Sequence, residues 1–150
     1  MTNYIKNHMT NKAAEGFGST ANTSLSDFYR RYIASLNERN FDVLETLIAD
    51  DVAVNGKMHK REDVVAGLHW LTTTVPDYVW KIEDLFTEEE RIAVRLRDKG
   101  TPVETFLGAA PTGASIEFTE FASYRVQGGQ FVEMWYLLDT ASIIDQLSKQ

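Results

Sequence analysis

The sequence predicts an α+β fold, in which a curved antiparallel sheet and three N-terminal helices form a cone-shaped pocket and a short C-terminal helix closes the chain. Apolar residues recur at helical spacing over residues 28–71, whereas the chain from residue 78 onward alternates with a period of two. Helices followed by an antiparallel meander are typical of a layered α+β domain. The 150 residues, of which 43% are hydrophobic, suit one domain with a sizeable core.

Three helices are expected before the sheet. Residues 24–27 form a capping sequence, and the apolar spacing that follows predicts a helix that ends near Asn37. A second helix is expected over residues 40–50, and a third over residues 61–73 after a polar loop. Residues 1–23 are rich in Asn, Thr, Gly and Ala, so we expect a flexible extension before a single domain at 24–150.

The remaining residues are predicted to form strands. Residues 52–56 indicate a short strand or bend, and longer alternating strands follow at 78–86, 91–97, 115–126 and 131–138. Hairpin turns are expected at 88–90 and 127–130, and a short helix at 140–147. A cone of this kind, lined by apolar and aromatic groups, is a small-molecule pocket by default.

Composition excludes several functions. The net charge of −7 argues against nucleic acid and against anionic membrane surfaces as partners, since both demand clustered Lys and Arg. Thiolate catalysis and zinc–thiolate sites are ruled out because the chain has no cysteine. No apolar run reaches the roughly 20 residues of a membrane span, and the N-terminus lacks the apolar region of a signal peptide. We therefore expect a cytoplasmic protein.

Residues 106–113, FLGAAPTG, form the most distinctive stretch of the chain. Gly108 and Gly113 can adopt positive φ, and Pro111 cannot donate a ladder hydrogen bond, so the stretch predicts a corner between two long strands. Together with LIADDV at 47–52, VPDY at 75–78 and EMW at 133–135, it resembles the SnoaL-like polyketide cyclases of the nuclear-transport-factor-2-like superfamily. The resemblance covers about residues 28–147.

The resemblance implies a cofactor-free reaction on a small hydrophobic molecule, with no metal site. The best-understood members of the family close a polyketide ring by an intramolecular aldol reaction. They use an Asp that follows the Trp of the last strand and a His opposite it. Here Tyr136 follows Trp135, and Ala122 takes the opposite position, so the resemblance implies that this acid–base pair is replaced.

Strand parity gives three catalytic candidates. Glu120 shares a strand face with aromatic residues, so desolvation there should raise its pKa and make it a useful acid or base; the alternative is a wet rim residue paired with Arg or Lys. Tyr136 could donate a hydrogen bond to a substrate carbonyl or enolate, or form part of an aromatic wall. Asp84 shares a face with Trp80, but a cross-strand ion pair with an arginine competes with catalysis.

A larger set of side chains is expected to line the cone and contact the ligand. Some have a structural alternative: Asn55 could form a turn, Asp139 could cap the last helix, and His59, like His69, could be an ordinary surface or packed residue. The predicted substrate-binding residues are Tyr29, Tyr32, Asn55, His59, Trp70, Trp80, Phe118, Ala122, Met134 and Asp139.

The opposite face of the last two strands carries Phe121, Phe131 and Trp135. Exposed aromatic residues on a convex sheet indicate burial against a second subunit, and convex-face dimers are usual in the family that the chain resembles, so we expect a homodimer.

Three functions remain open from the sequence. They are a cofactor-free cyclase, isomerase or dehydratase acting on a hydrophobic carbonyl compound, a non-catalytic binding protein with the same cone, and an interaction module with a vestigial pocket.

Overall fold

A computed structural model describes residues 16–149, with side chains from residue 25 onward. The predicted α+β class is confirmed, with four α-helices and six strands in this part of the chain. In chain order the elements are α1 Gly16–Asn37, a 3-10 turn Phe41–Val43, α2 Leu44–Leu47, β1 Ile48–Val54, β2 Lys57–Lys60, α3 Arg61–Thr74, β3 Val79–Glu88, β4 Arg91–Gly100, β5 Ile116–Gln127, β6 Gln130–Leu138 and α4 Thr140–Ser148.

The six strands form one sheet in the order β2-β1-β6-β5-β4-β3. The sheet was predicted to be antiparallel, and one strand pair departs from this, because β1 runs parallel to β6. Strands β3 to β6 form an antiparallel meander. No hairpin connects β1 to β6, so the connection between them does not require the two strands to run antiparallel. The sheet is therefore mixed, with β2 and β3 at its edges.

The N-terminal half differs from the sequence prediction in its boundaries. Helix α1 continues back to Gly16, so residues 24–27 lie inside the helix and do not cap it. Residues 1–15 of the expected extension lie outside the described residues. The expected second helix is shorter and gives way to β1 at Ile48, and the polar loop before α3 is strand β2. None of the helices within residues 16–149 is both long and apolar enough to cross a membrane.

The prediction that Phe131 lies on the convex face is also wrong. Phe131 is fully buried, as is Met134 three residues later, whereas strict alternation would place them on opposite faces. A register shift between Arg125 and Val126 in the β5–β6 pairing breaks the alternation. A bulge adds one residue to one of the two strands, so residues on its two sides no longer follow a single alternation between the faces of the sheet. Phe131 therefore belongs to the core.

An aromatic cluster fixes α1 over the concave face of the sheet. The ring of Phe131 lies 4.8 Å from that of Tyr32, 4.9 Å from that of Phe28 and 4.9 Å from that of Tyr124. Tilted and edge-to-face contacts of this length each add about 0.5–1.5 kcal/mol beyond the burial of area. The helix is thereby held over the sheet, and its inner face forms one wall of a cavity.

Candidate functional site

A cavity of about 300 Å³ lies between α1, α3 and the concave face of the sheet. Its walls are mostly aliphatic and aromatic. Six of the residues predicted from the sequence to form the site contribute to these walls: Tyr32, Trp70, Trp80, Glu120, Met134 and Tyr136. Trp70 and Tyr136 are half exposed and lie at the mouth, whereas the other four are almost fully buried. The cavity thus has exposed side chains at one end and buried side chains elsewhere, the arrangement expected of a small-molecule site.

Two buried carboxyl groups lie side by side on the concave face of the sheet. Glu120 on β5 is 7% exposed and Asp98 on β4 is 0% exposed. Leu96 is directly opposite Glu120 and Phe118 is directly opposite Asp98, so the two acids are diagonal neighbours on one face of the β4–β5 pair. Their side chains are within hydrogen-bonding reach of each other. Only Glu120 lines the cavity; Asp98 lies behind it.

Burial changes the acidity of this pair. Desolvation raises the pKa of Glu120 well above its usual value, and the neighbouring Asp98 raises it further. Desolvation also raises the pKa of Asp98, although hydrogen bonds from Glu120 and Tyr78 oppose the rise. The Tyr78 hydroxyl donates to Asp98 Oδ2 over 2.5 Å. The hydrogen bond from Tyr78 favours the ionised form of Asp98, so in this pair we assign the negative charge to Asp98 and the proton to Glu120.

Several phenols surround the carboxyl pair. Tyr29 and Tyr124 share a hydrogen bond of 3.3 Å between their hydroxyls, and Tyr124 also lines the cavity. Burial raises the pKa of both, and it also raises the pKa of Tyr32 and Tyr136. All four phenols thus keep their protons at neutral pH. Tyr32 and Tyr136 line the cavity, so each presents a hydroxyl that can donate to a ligand oxygen.

The loop between β4 and β5 supplies another wall. Phe106 is fully buried and lines the cavity, where it packs 6.1 Å from the ring of Trp70. A tight turn holds it, with two backbone hydrogen bonds between Phe106 and Ala109 and with Leu107 and Gly108 at φ values of 50° and 86°. The corner predicted from FLGAAPTG is thus a turn that delivers one aromatic ring into the cavity.

Some predicted site residues lie just outside the cavity. Phe118 and Ala122 are buried in the core on the concave face, and Tyr29 lies under the cavity floor. Ala122 is directly opposite Tyr136, as the sequence comparison with the family assumed. These three residues support the walls but do not form them.

Four other predicted residues do not line the cavity and have structural contacts of their own. Asp84 accepts a hydrogen bond of 2.8 Å from Arg95 Nε, which is the ion-pair alternative. Asn55 adopts a φ of 49° in the β1–β2 turn and accepts from the Tyr136 backbone N–H. Asp139 accepts from Ser142 N and caps α4. His59 lies 3.7 Å from Asp63 on the surface.

The sequence analysis missed Asp98 and Tyr78 as members of the site. Asp98 continues the inward parity of Ile92, Val94 and Leu96, but the predicted strand ended one residue before it. Continuing the alternation from Leu96 to Asp98 would have predicted a second carboxyl group beside Glu120. Tyr78 precedes β3, and no local pattern indicates that its hydroxyl reaches Asp98.

The family resemblance also implied that the protein uses no metal ion, and this stays a prediction. Within residues 16–149, no three His, Asp or Glu side chains come close enough together to hold a metal ion.

The fold and cavity define a class of small α+β proteins that enclose a pocket between a curved sheet and N-terminal helices. The SnoaL-like polyketide cyclase model matches residues 26–147, and the chain belongs to this family. The family assignment agrees with the resemblance in the strand corner and the surrounding motifs.

Solved structures agree with this assignment. A SnoaL-like polyketide cyclase from Agrobacterium tumefaciens has a TM-score of 0.78 and 30% identity, over 82% of this chain and 97% of that one. IdmH from Streptomyces antibioticus, described as a polyketide cyclase, has a TM-score of 0.74 and 25% identity, over 82% and 97%. AclR from Streptomyces galilaeus, described as a hydroxylase, shares the fold with a TM-score of 0.72 at 19% identity, over 85% and 98%. No functionally curated protein matches the chain.

Proposed function

We propose that the protein is a cofactor-independent enzyme that performs acid–base chemistry on a hydrophobic carbonyl compound, as a cyclase, isomerase or dehydratase. The observation that carries the proposal is the position of Glu120, a carboxyl group with 7% exposure in the wall of a mostly apolar and aromatic cavity. A carboxyl group in such surroundings titrates closer to neutrality, where proton transfer in both directions is efficient. Family membership supports a small-molecule substrate.

The three reaction types share their first step. Glu120 removes a proton from the carbon next to the carbonyl group, and the C–H electron pair moves onto the carbonyl oxygen to give an enolate. Tyr136 donates a hydrogen bond to that oxygen. The enolate then attacks a second carbonyl within the molecule, takes a proton at another carbon, or expels a β-hydroxyl group. Cavity shape decides which of these follows, and the fold alone does not.

The experiment measures this first step directly. The protein is incubated with 2-tetralone, an enolisable bicyclic ketone, in deuterated buffer, and NMR follows deuterium incorporation next to the carbonyl. We expect the wild-type protein to accelerate exchange and Glu120→Gln to reduce the accelerated rate by at least about 100-fold. The matched control is Glu117→Gln on the same strand, where the side chain is exposed and paired with Arg97.

An unchanged rate in Glu120→Gln would remove this residue from the mechanism. The second candidate function is a non-catalytic binding protein, and the presence of Tyr136 and Ala122 at the positions of the family's acid–base pair favours it. In that case 2-tetralone quenches the fluorescence of Trp80, which lies in the cavity wall, without any exchange. That combination would contradict the enzymatic proposal and support the binding protein.

We also propose that the protein forms a homodimer through the convex face of the sheet. Phe121 is 58% exposed and Leu137, its cross-strand neighbour on the convex face, is 73% exposed. Trp135 is 45% exposed on the same face. Apolar side chains grouped in this way favour burial against another protein surface.

The net charge and the sequence pattern support a cytoplasmic location without nucleic-acid or membrane partners.

A further inference from the structure

One oxygen of the buried Asp98 carboxyl has no conventional donor. The Tyr78 hydroxyl donates to Oδ2, but Oδ1 receives no N–H or O–H from the described residues when both acids are ionised. A buried acceptor left in this state costs about 1–3 kcal/mol, and more if it is charged. The side chain of Glu120 is within hydrogen-bonding reach. A proton on Glu120 converts two repelling carboxylates into a donor and an acceptor.

The other groups around the pair make full ionisation unfavourable. The titratable side chains that face it are Tyr29 and Tyr32 on α1, Tyr78 before β3, Tyr124 on β5 and Tyr136 on β6. Helix α3 contributes Asp63 to the cavity wall. Among the described residues that line the cavity there is no Lys, Arg or His. No cation is therefore available there to neutralise a second negative charge.

We infer that Asp98 and Glu120 hold one proton between them in the ligand-free protein, and that Asp98 is a positioning residue that enables Glu120 to accept a proton from the ligand. This inference rests on the proposed function for its chemical role. A protonated Glu120 is a poor base by itself. Paired with Asp98, it can receive a new proton on one oxygen while its original proton moves from the other oxygen to Asp98.

The proton transfer balances as follows. The ligand C–H bond breaks, its electron pair passes to the carbonyl oxygen, and a new O–H bond forms on Glu120. The O–H bond already present on Glu120 breaks as its proton bonds to Asp98. The pair ends with two protons and no charge, and the ligand carries the negative charge as an enolate. Reversal of the same movements returns a proton to carbon, or supplies one to a departing hydroxyl group.

The experiment titrates the pair in the ligand-free protein, with carboxyl-labelled Asp and Glu observed by carbon NMR. We expect the Glu120 signal of the wild-type protein to be that of a protonated acid at neutral pH. In Asp98→Asn the neighbouring negative charge is lost and an amide N–H can donate to Glu120, so its titration midpoint should fall by about one pH unit or more. The control Asp84→Asn removes an ion-paired carboxylate outside the cavity and should leave the midpoint unchanged.

Two results would overturn the inference: a Glu120 side chain that is ionised at neutral pH in the wild type, or an Asp98→Asn variant with an unaltered midpoint. If Asp98→Asn does not fold, Tyr78→Phe gives the same test. This variant removes the donor to Asp98 and should raise both titration midpoints of the pair, and unchanged midpoints would contradict a shared proton. Because this titration needs no ligand, its outcome is separate from the exchange assay. Lost exchange with an intact titration contradicts only the proposed function.

Discussion

Asn37 and Trp80 are joined by two hydrogen bonds that tie the end of α1 to the edge of the sheet. Asn37 Oδ1 accepts from the Trp80 backbone N–H over 2.9 Å, and Asn37 Nδ2 donates to the Trp80 carbonyl oxygen over 2.9 Å. The amide side chain thus replaces a neighbouring strand at this position of β3. Because α1 and Trp80 both form cavity walls, the contact fixes the width of the cavity at this side.

Asn37→Ala should therefore destabilise the protein. Each lost hydrogen bond of this kind contributes about 0.5–1.5 kcal/mol, so we expect a decrease of about 1–3 kcal/mol in the free energy of unfolding. Urea unfolding measures the change. The neighbouring exposed residue gives the control, Glu38→Ala, for which we expect a change within about 0.5 kcal/mol. Equal effects of the two substitutions would show that the paired hydrogen bonds do not stabilise the fold.

Glu120→Gln should make the protein more stable at neutral pH. Burial raises the pKa of Glu120 in the folded protein above the unfolded value of about 4.3, so between these two values the folded state binds more protons than the unfolded state. Stability is then lost as the pH rises from the unfolded pKa towards the folded pKa. Glutamine does not titrate, and its amide can donate to Asp98, so the variant avoids this loss.

The measurement is urea unfolding at mildly acidic and at neutral pH. For each unit by which the folded pKa exceeds the unfolded pKa within this interval, the wild type loses about 1.4 kcal/mol, whereas Glu120→Gln should show a flatter profile. Glu117→Gln, which changes an exposed carboxylate on the same strand, is the control and should retain the wild-type slope. A wild-type slope in Glu120→Gln would mean that Glu120 does not control the pH dependence.

Tyr136→Phe tests hydrogen bonding to the enolate oxygen. Removing one enclosed donor from such a site slows reactions by about 100–1,000-fold, and because Tyr136 is 44% exposed we expect a smaller loss, of about 10-fold, in deuterium exchange. Tyr29 does not line the cavity and its hydroxyl bonds to that of Tyr124, so Tyr29→Phe should change the rate little. The role of Tyr136 would be contradicted if the two variants behaved alike.

Two glycines should respond to alanine in opposite directions. A Cβ atom on Gly100 would lie 2.4 Å from Val75 Cγ1 and 3.2 Å from Tyr78 Cα, so Gly100→Ala should cost about 1–3 kcal/mol of unfolding free energy. Gly67 lies inside α3 with open space at the same position, so Gly67→Ala should add about 0.5–1 kcal/mol. Thermal or urea unfolding distinguishes the two, and effects of the same sign would refute the packing argument.

Leu137→Asp should shift the proposed dimer towards monomer. Leu137 is 73% exposed on the convex face, and a charge there would be buried without a partner in a dimer. Sedimentation velocity measures the change in mass. Val103→Asp is the control, since Val103 is 57% exposed in the loop between β4 and β5. A monomeric wild-type protein would remove the dimer proposal.

Local periodicity was enough to predict most of the sheet and the position of Glu120. Strand β5 alternates without interruption, so the parity that placed Glu120 among aromatic residues holds along its whole length. The same reasoning failed at Phe131, where a bulge shifts the alternation, and no local signal in the sequence marks that shift. The parallel pairing of β1 with β6 joins segments far apart in sequence, so it depends on tertiary contacts that a local pattern does not contain.

The candidate site, too, could be predicted only in part, because some of its contacts depend on tertiary packing. Asp98 belonged to a visible alternation that was ended too early. Its hydrogen bond with Tyr78 joins β4 to the residue before β3 and depends on the final packing. Asp84 and Asp139 had sequence contexts as suggestive as that of Glu120. The structure gives Asp84 an arginine partner and Asp139 a capping role, and neither contact excludes water as the cavity does for Glu120.

Phe106 enters the cavity from a loop whose short turn satisfies its own backbone hydrogen bonds. A smaller side chain at this buried position would enlarge the cavity while leaving the hydrogen bonds between the strands in place. The loop thus contributes to the shape of the cavity, whereas the two buried acids lie on strands β4 and β5.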